Sequence, residues 1–341
     1  MSRAVVIHAA RDLRIEDRPV GAPGPGEVRM RMARGGICGS DLHYYLHGGI
    51  GDAIRLREPM VLGHEVSGHV EALGEGVEGL TEGQLVALSP SRPCGACLYC
   101  LEGKPNHCLH MRFYGSAMPF PHVQGAFREV LVADAAQCVP ADGLSPEAAA
   151  MAEPLAVALH GVARAGPMLG RAVLVTGCGP IGILAVIAAR RAGADLVVAT
   201  DLEALPREMA RRAGADQALD ARDGLARFEA AKGTFDAVLE CSGSAAALRA
   251  AVPAVRPGGV VVQLGLGGDM TLPVQAMTAR EIELRGSFRF HPEFAVGVSL
   301  MRKGLVDVEP FVSRTVPLED AVAAFETAGD RAQGIKTQIA F

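Results

Sequence analysis

Val173-Leu-Val-Thr176-Gly177-Cys178-Gly179-Pro180-Ile181-Gly182, running on through Ile183 to about Ala192, is the stretch on which the fold turns. A β-branched-rich run meets three glycines spaced G-x-G-x-x-G, and an apolar helical segment follows, so the order reads strand, tight turn, helix. Gly177 allows the tight turn, Gly179 lets backbone approach a pyrophosphate, and Gly182 lets helix and strand pack closely. Pro180 and Ile181 complete a loop in which the helix N-terminus offers unpaired N–H groups and positive dipole to phosphates. The glycine pattern alone is weak, and the elements on either side supply its context. The stretch Ala172 to Ala189 carries no charge for 18 residues, the lower edge of membrane-spanning length. The Gly-Pro turn in its middle breaks a helix, and a buried parallel strand with its packed helix is expected to be apolar, so it reads as protein core.

Moving outward toward the C-terminus, Leu196–Thr200 reads as the next strand and ends at Asp201, 19 residues beyond Gly182. A carboxylate there can accept hydrogen bonds from the adenosine ribose hydroxyls and repels a 2'-phosphate, which favours NAD. Arg207 and the pair Arg211-Arg212 lie close enough to leave NADP open. The plainer alternative is an ordinary strand-turn-helix followed by an incidental acid. Further β-branched runs at Ala237–Glu240 and Val260–Leu264, separated by helix-length spacers, predict a parallel, doubly wound α/β sheet.

Toward the N-terminus the texture differs. The first 150 or so residues are rich in glycine turns and alternate like Glu27-Val-Arg-Met-Arg-Met-Ala33, a period of two that predicts half-buried antiparallel strands in a barrel-like domain. From about Glu283 the chain resembles this first region again. The expected division is therefore 1–150 with 283–341, and 151–282.

Composition bounds the function. With 341 residues, 49% hydrophobic and 21% charged, the chain can bury two cores. A net charge of -5, no Lys/Arg block, no tryptophan and 4% aromatics argue against nucleic acid. The opening MSRAVVIHAARDLRIE reaches charge and histidine too soon for a signal peptide. Eight cysteines in such a chain point to a reducing, cytoplasmic setting with free or metal-bound thiols.

Four of them, Cys94, Cys97, Cys100 and Cys108, fall within 15 residues, with the spacing of a closed tetrahedral thiolate site. Disulfides do not suit a reducing compartment. An iron–sulfur cluster commonly has a shorter last spacing followed by proline, whereas here the gap is seven and Leu109 follows. Structural zinc is the expectation. A second set is dispersed: Cys38-Gly-Ser40-Asp41-Leu-His43-Tyr44, Gly63-His64-Glu65, and Glu153. One thiolate, one imidazole and one carboxylate suffice for a catalytic ion with an open fourth position. Spacing alone does not bring them together, and Cys38 as a small buried residue with His64 in a turn remains an equal reading. Ser40 can relay a proton or cap a helix, and His43 can relay or lie solvated on that helix. Asp41 reads as an orienting group behind His64 or an anchor of the turn.

Taken in order, the Cys38 run, Gly63-His64-Glu65, the four-cysteine lobe and the glycine fingerprint resemble the zinc-containing medium-chain dehydrogenases over essentially the whole chain. That resemblance implies a mostly β, GroES-like catalytic domain and a Rossmann domain, with the active site in the cleft between them. It also implies one catalytic and one structural zinc, NAD, and a homodimer or homotetramer. Cys38 and His64 would hold the catalytic ion, Glu65 and Glu153 sharing the remaining protein position. Family enzymes for simple alcohols commonly carry a second cysteine where Glu153 stands, so this chain resembles the branch acting on polyols and sugar acids. For substrate contact the candidates are Tyr44 and Arg289, with Arg112 as another possible carboxylate partner.

Overall fold

The computed structural model describes residues 1–341, and the chain divides into two units. Unit 1 is Met1–Glu153 with Phe294–Asp330 and Lys336–Phe341; unit 2 is Pro154–Glu293 with Arg331–Ile335.

In unit 1 the alternation read from the sequence becomes the strand Glu27–Gly36. Val28, Met30 and Met32 point into the core, while Arg29 on the other face pairs with Glu71 at 2.6 Å. This strand is the hub of a seven-stranded sheet. It pairs antiparallel with Glu65–Leu73, Val130–Asp134 and Lys336–Ala340. Val312–Pro317 lies parallel beside Lys336–Ala340. A smaller sheet joins Asp12–Arg18, Ser2–Ala9 and Met60–Val61. Met30, Leu62, Val86, Phe127 and Ile339 share one core cluster.

Unit 2 is built on a six-stranded, all-parallel sheet. Its spatial order is Gln217–Asp220, Leu196–Asp201, Ala172–Thr176, Phe235–Glu240, Val255–Gln263, Glu283–Gly286. In order of appearance that is 3-2-1-4-5-6, the doubly wound arrangement of dinucleotide-binding folds. Its central strands do not alternate. Every residue of Phe235–Glu240 is buried, because helices cover both faces of such a sheet.

Three expectations change here. The stretch 283–293, expected with the first region, belongs to unit 2, because Glu283–Gly286 bonds to Val255–Gln263 as its sixth strand. Residues 331–335 also return to unit 2. The glycine-loop helix begins at Pro180 rather than Ile183, since a proline in the first helical position gives up no hydrogen bond the helix needs. The uncharged stretch divides into strand, turn and helix, and no helix is long and apolar enough to cross a membrane.

Candidate active site

The helix Gly39–His47 starts with Cys38 as its N-cap, so Ser40 is an inner residue of the first turn and not the cap. Asp41, fully buried, binds two turns at once. One carboxylate oxygen accepts the Cys38 N–H at 3.0 Å and the other accepts the Gly63 N–H at 3.3 Å. The backbone of Cys38 is thus tied to the residue preceding His64. Gly63 needs its lack of side chain, since its φ is +95° and a β-carbon would fall on the Phe127 ring.

The Cys38 sulfur, a His64 ring nitrogen and a Glu65 carboxylate oxygen lie within 4.8 Å of one another. Ser40 Oγ is 3.4 Å from His64 Nε2, and His64 Nδ1 is 3.7 Å from Asp41. Glu65 is buried, with Lys336 Nζ 2.5 Å from one of its oxygens. That contact is an ion pair, for neither Glu65 oxygen has a well-aligned hydrogen-bond donor, and His64 Nδ1 is likewise buried without one. Buried polar atoms are normally satisfied, so orphans gathered around a thiol mark a place for a missing partner.

The charges identify that partner. Asp41, Glu65 and Glu153 are buried carboxylates, against the buried Lys336 ammonium. Burial, with the Glu65 charge added, pushes the Cys38 thiol up to about 12. Burial also lifts Glu153, His64 pulling the other way and Glu65 and Cys38 adding to the rise. Burial alone would depress Lys336, but Glu65 and Cys38 outweigh it and hold the ammonium charged. A divalent cation reverses this bias, favouring thiolate and carboxylates together. Sulfur, imidazole and carboxylate donors suit zinc, and the residues fit such an ion. Glu153, in the first turn of the helix Ala152–Ala165, is outside the 4.8 Å trio, and Glu65 is the carboxylate within it.

The lobe of Cys94, Cys97, Cys100 and Cys108 has its four sulfurs within 4.8 Å, with Cys97 3.6 Å from Cys100 and 3.9 Å from Cys108. A tetrahedral zinc with bonds of about 2.3 Å separates its sulfurs by about 3.8 Å, whereas a disulfide needs about 2.05 Å. All eight cysteines are free. The N–H groups of Leu109 and His110 point at Cys97 and Cys108. Hydrogen bonds from the Cys100 and Leu109 N–H groups draw Cys97 down to about 6, while desolvation and its neighbouring sulfurs push Cys100 up to about 12. The lobe thus biases Cys97 toward the thiolate and Cys100 toward the thiol, and a bound cation would favour the thiolate at both.

In unit 2, Gly177 has a φ of +81° and a β-carbon there would lie 2.7 Å from Ser242. A β-carbon on Gly182 would strike the Gly177 carbonyl, yet one on Gly179 would meet nothing within 4 Å. Two glycines therefore serve the fold, and the third opens a cradle at the helix start. Asp201 ends its strand as expected, but its carboxylate is not free. It is 2% exposed and accepts the N–H of Cys178 at 2.7 Å on one oxygen. The other oxygen accepts Glu203 N–H at 2.9 Å and the Arg331 guanidinium at 2.6 Å. Arg207 is occupied as well, donating to the carbonyls of Asp201 and Leu202 and pairing with Asp220.

His43 is half-buried on the same helix as Ser40, three residues on, with its ring 5.8 Å from His47. Burial, then His47, lowers its pKa below the usual 6.5. Tyr44 is 2% exposed in the unit 1 core, its hydroxyl accepting Ala117 N–H at 3.0 Å, so in this conformation it is packed rather than presented to solvent. Arg289 belongs to unit 2, with a φ of +55° and its guanidinium 4.9 Å from the Phe288 ring centre. Arg112 is exposed.

Sequence reading missed Lys336 and Arg331. Lys336 had a signal: with Gln338 it puts polar residues on alternate positions of the C-terminal strand where a core face would be apolar. Arg331 had none, being 130 residues from its partner.

Comparison with known proteins agrees with this architecture. Residues 24–143 match the alcohol dehydrogenase GroES-like domain, and residues 180–303 match the zinc-binding dehydrogenase family. The chain is 42% identical over 315 residues to L-idonate 5-dehydrogenase (NAD(P)(+)) of Escherichia coli, covering 92% of this chain and 91% of that protein. It is 39% identical over 344 residues to sorbitol dehydrogenase of Gallus gallus, covering 98% and 95%. The crystal structure of L-idonate 5-dehydrogenase from Escherichia coli superposes with a TM-score of 0.96 at 39% identity, covering 100% of this chain and 98% of that one.

Proposed function

We propose that this chain, which belongs to the zinc-binding alcohol dehydrogenase family, oxidises a secondary alcohol of a sugar acid, L-idonate to 5-keto-D-gluconate, reversibly, with NAD or NADP. The observation that carries the reading is the buried trio of Cys38, His64 and Glu65, whose clustered sulfur, imidazole and carboxylate donors include buried atoms with no hydrogen-bond partner. The similarity to L-idonate 5-dehydrogenase supports the substrate, while the carboxylate at position 153 supports a polyol or sugar acid over a simple alcohol. When bound, the zinc supplies Lewis acidity toward the substrate hydroxyl and the nicotinamide accepts the hydride.

The chain's own residues do the rest. Cys38, His64 and Glu65 hold the ion, with Glu153 facing the same charges. Asp41 fixes the two turns that carry the first two ligands, and Lys336 balances Glu65. Ser40 Oγ takes the hydroxyl proton and His43, kept neutral by its lowered pKa, receives it onward. Gly177, Gly179, Pro180, Ile181 and Gly182 seat the pyrophosphate, and Asp201 has about one of its four acceptor sites left for a ribose hydroxyl. Arg289 is the proposed carboxylate partner, with Arg112 second. Cys94, Cys97, Cys100 and Cys108 hold a structural zinc. The protein works in the cytoplasm as a homodimer or homotetramer, a reading helped by the open edge strand Glu283–Gly286 with Leu284 46% exposed.

The similarity to sorbitol dehydrogenase favours a second reading, a sorbitol- or xylitol-type polyol dehydrogenase. Initial rates for a panel of sugar acids and polyols, each with NAD and NADP, separate the two. L-idonate should show the highest kcat/KM. A higher value for sorbitol or xylitol selects the second reading, and no oxidation of any secondary alcohol defeats both.

A further inference from the structure

The corner of unit 2 at the end of the strand Leu196–Asp201 carries three arginines with different freedom. Arg207 has an 18% exposed side chain and is spent on two carbonyls and Asp220. Arg222 grips Asp220 with two nitrogens and also donates to the Leu202 carbonyl. Arg331 is different. Its hydrogen bond and ion pair go to the Asp201 carboxylate, and its side chain is 42% exposed although that carboxylate is 1% exposed.

In a doubly wound sheet the acid at this strand end faces the adenosine ribose, and its uncompensated charge is what rejects a 2'-phosphate. Here the charge is compensated. Asp201 also holds two backbone N–H donors, from Cys178 and Glu203, so its position does not depend on the whole guanidinium. Its hydrogen bond to Arg331 uses a single guanidinium nitrogen. The other N–H groups of that planar fork can meet a phosphate while the acid's charge stays compensated.

We propose that Arg331 sets the tolerance for the cofactor's 2' substituent: paired with Asp201 it cancels the charge that would reject a 2'-phosphate, and its remaining N–H groups grip that phosphate when it is present. Resting on the dinucleotide reading given above, it moves the discriminating residue from the segment after the strand, where Arg207 lies, to the five-residue return Arg331–Ile335.

Equilibrium binding tests this without turnover. NADH and NADPH are titrated by fluorescence, and 5'-AMP against adenosine 2',5'-bisphosphate by calorimetry, into the zinc-loaded protein and its Arg331→Leu and Arg331→Lys variants. Loss of one charge-assisted contact should weaken NADPH and the bisphosphate about 10- to 100-fold in Arg331→Leu, with less than about threefold change for NADH and 5'-AMP. Arg331→Lys, which keeps the charge and loses the fork, should fall between. Equal weakening of both nucleotides would show that Arg331 only steadies Asp201, and unaltered NADPH affinity would show no role; either overturns the proposal. NADPH failing to bind the unaltered protein while NADH binds also overturns it. If neither nucleotide binds, the dehydrogenase reading itself fails.

Discussion

The four-cysteine lobe and the Cys38–His64–Glu65 trio offer a cation its donors by opposite routes. In the lobe every donor comes from one 15-residue stretch, and local backbone N–H groups already bond the sulfurs, with Cys94 open to solvent. In the trio the donors come from a helix cap, a glycine turn and a strand start, and a lysine from the C-terminal strand completes the balance. A local site can form with its loop and close completely, which suits a role in stability. A site assembled by tertiary structure has its scaffold paid for elsewhere in the fold, and three donors leave a position for substrate.

The sharpest way to break this contrast is to remove one donor from each. His64→Ala should lower bound zinc by one ion per chain and cut kcat/KM at least about 10³-fold, the several kcal/mol that a Lewis acid supplies, with the melting temperature nearly kept. Cys108→Ser should also lose one ion per chain but should lower the melting temperature most. Metal analysis, rates and thermal melts on the two variants decide it. Equal loss of stability in both would erase the distinction.

Lys336→Met sharpens the comparison. It leaves the Glu65 carboxylate buried without its counter-charge, which typically costs about 3–5 kcal/mol. Denaturant unfolding should show that loss in zinc-free protein and a smaller one after zinc is restored, because the ion then balances Glu65. A loss that zinc does not reduce would separate Lys336 from the metal site.

The smallest expected effect is at His43. Changing it to alanine should lower kcat by about 10²-fold. Since its pKa is depressed, the neutral, proton-accepting form prevails above a pH somewhat under 6.5, and the rate of the unaltered enzyme should fall as pH drops through that point. The variant should lack this acid limb. A pH–rate profile that keeps it would remove His43 from the proton path.

What the sequence showed and hid follows the same local-against-tertiary division. The glycine loop was readable because strand, turn and helix are contiguous, and the lobe because its spacing is itself the geometry. The site of Asp201 was readable, but its occupied carboxylate was not, since Arg331 reaches it from 130 residues away. Glu283–Gly286 hides its place in the parallel sheet for a related reason. A four-residue strand with two charges at a sheet edge lacks the apolar run that marks its buried neighbours, so only its pairing reveals it. Lys336 was hidden because a lysine's usual place is solvent, and burial follows only from what faces it.

Gly36 carries a consequence for inheritance. A β-carbon at this position would collide with the Glu65 oxygen that faces Lys336 and come within 3.2 Å of the lysine's own Cε. Every single-base change that turns a glycine codon into another amino acid's adds at least that carbon. One nucleotide can thus disturb the charge balance of the buried centre while every ligand codon stays intact. Such an allele would look mild on paper, a glycine exchanged for alanine far along the chain from Lys336, and behave as a lesion of the active centre.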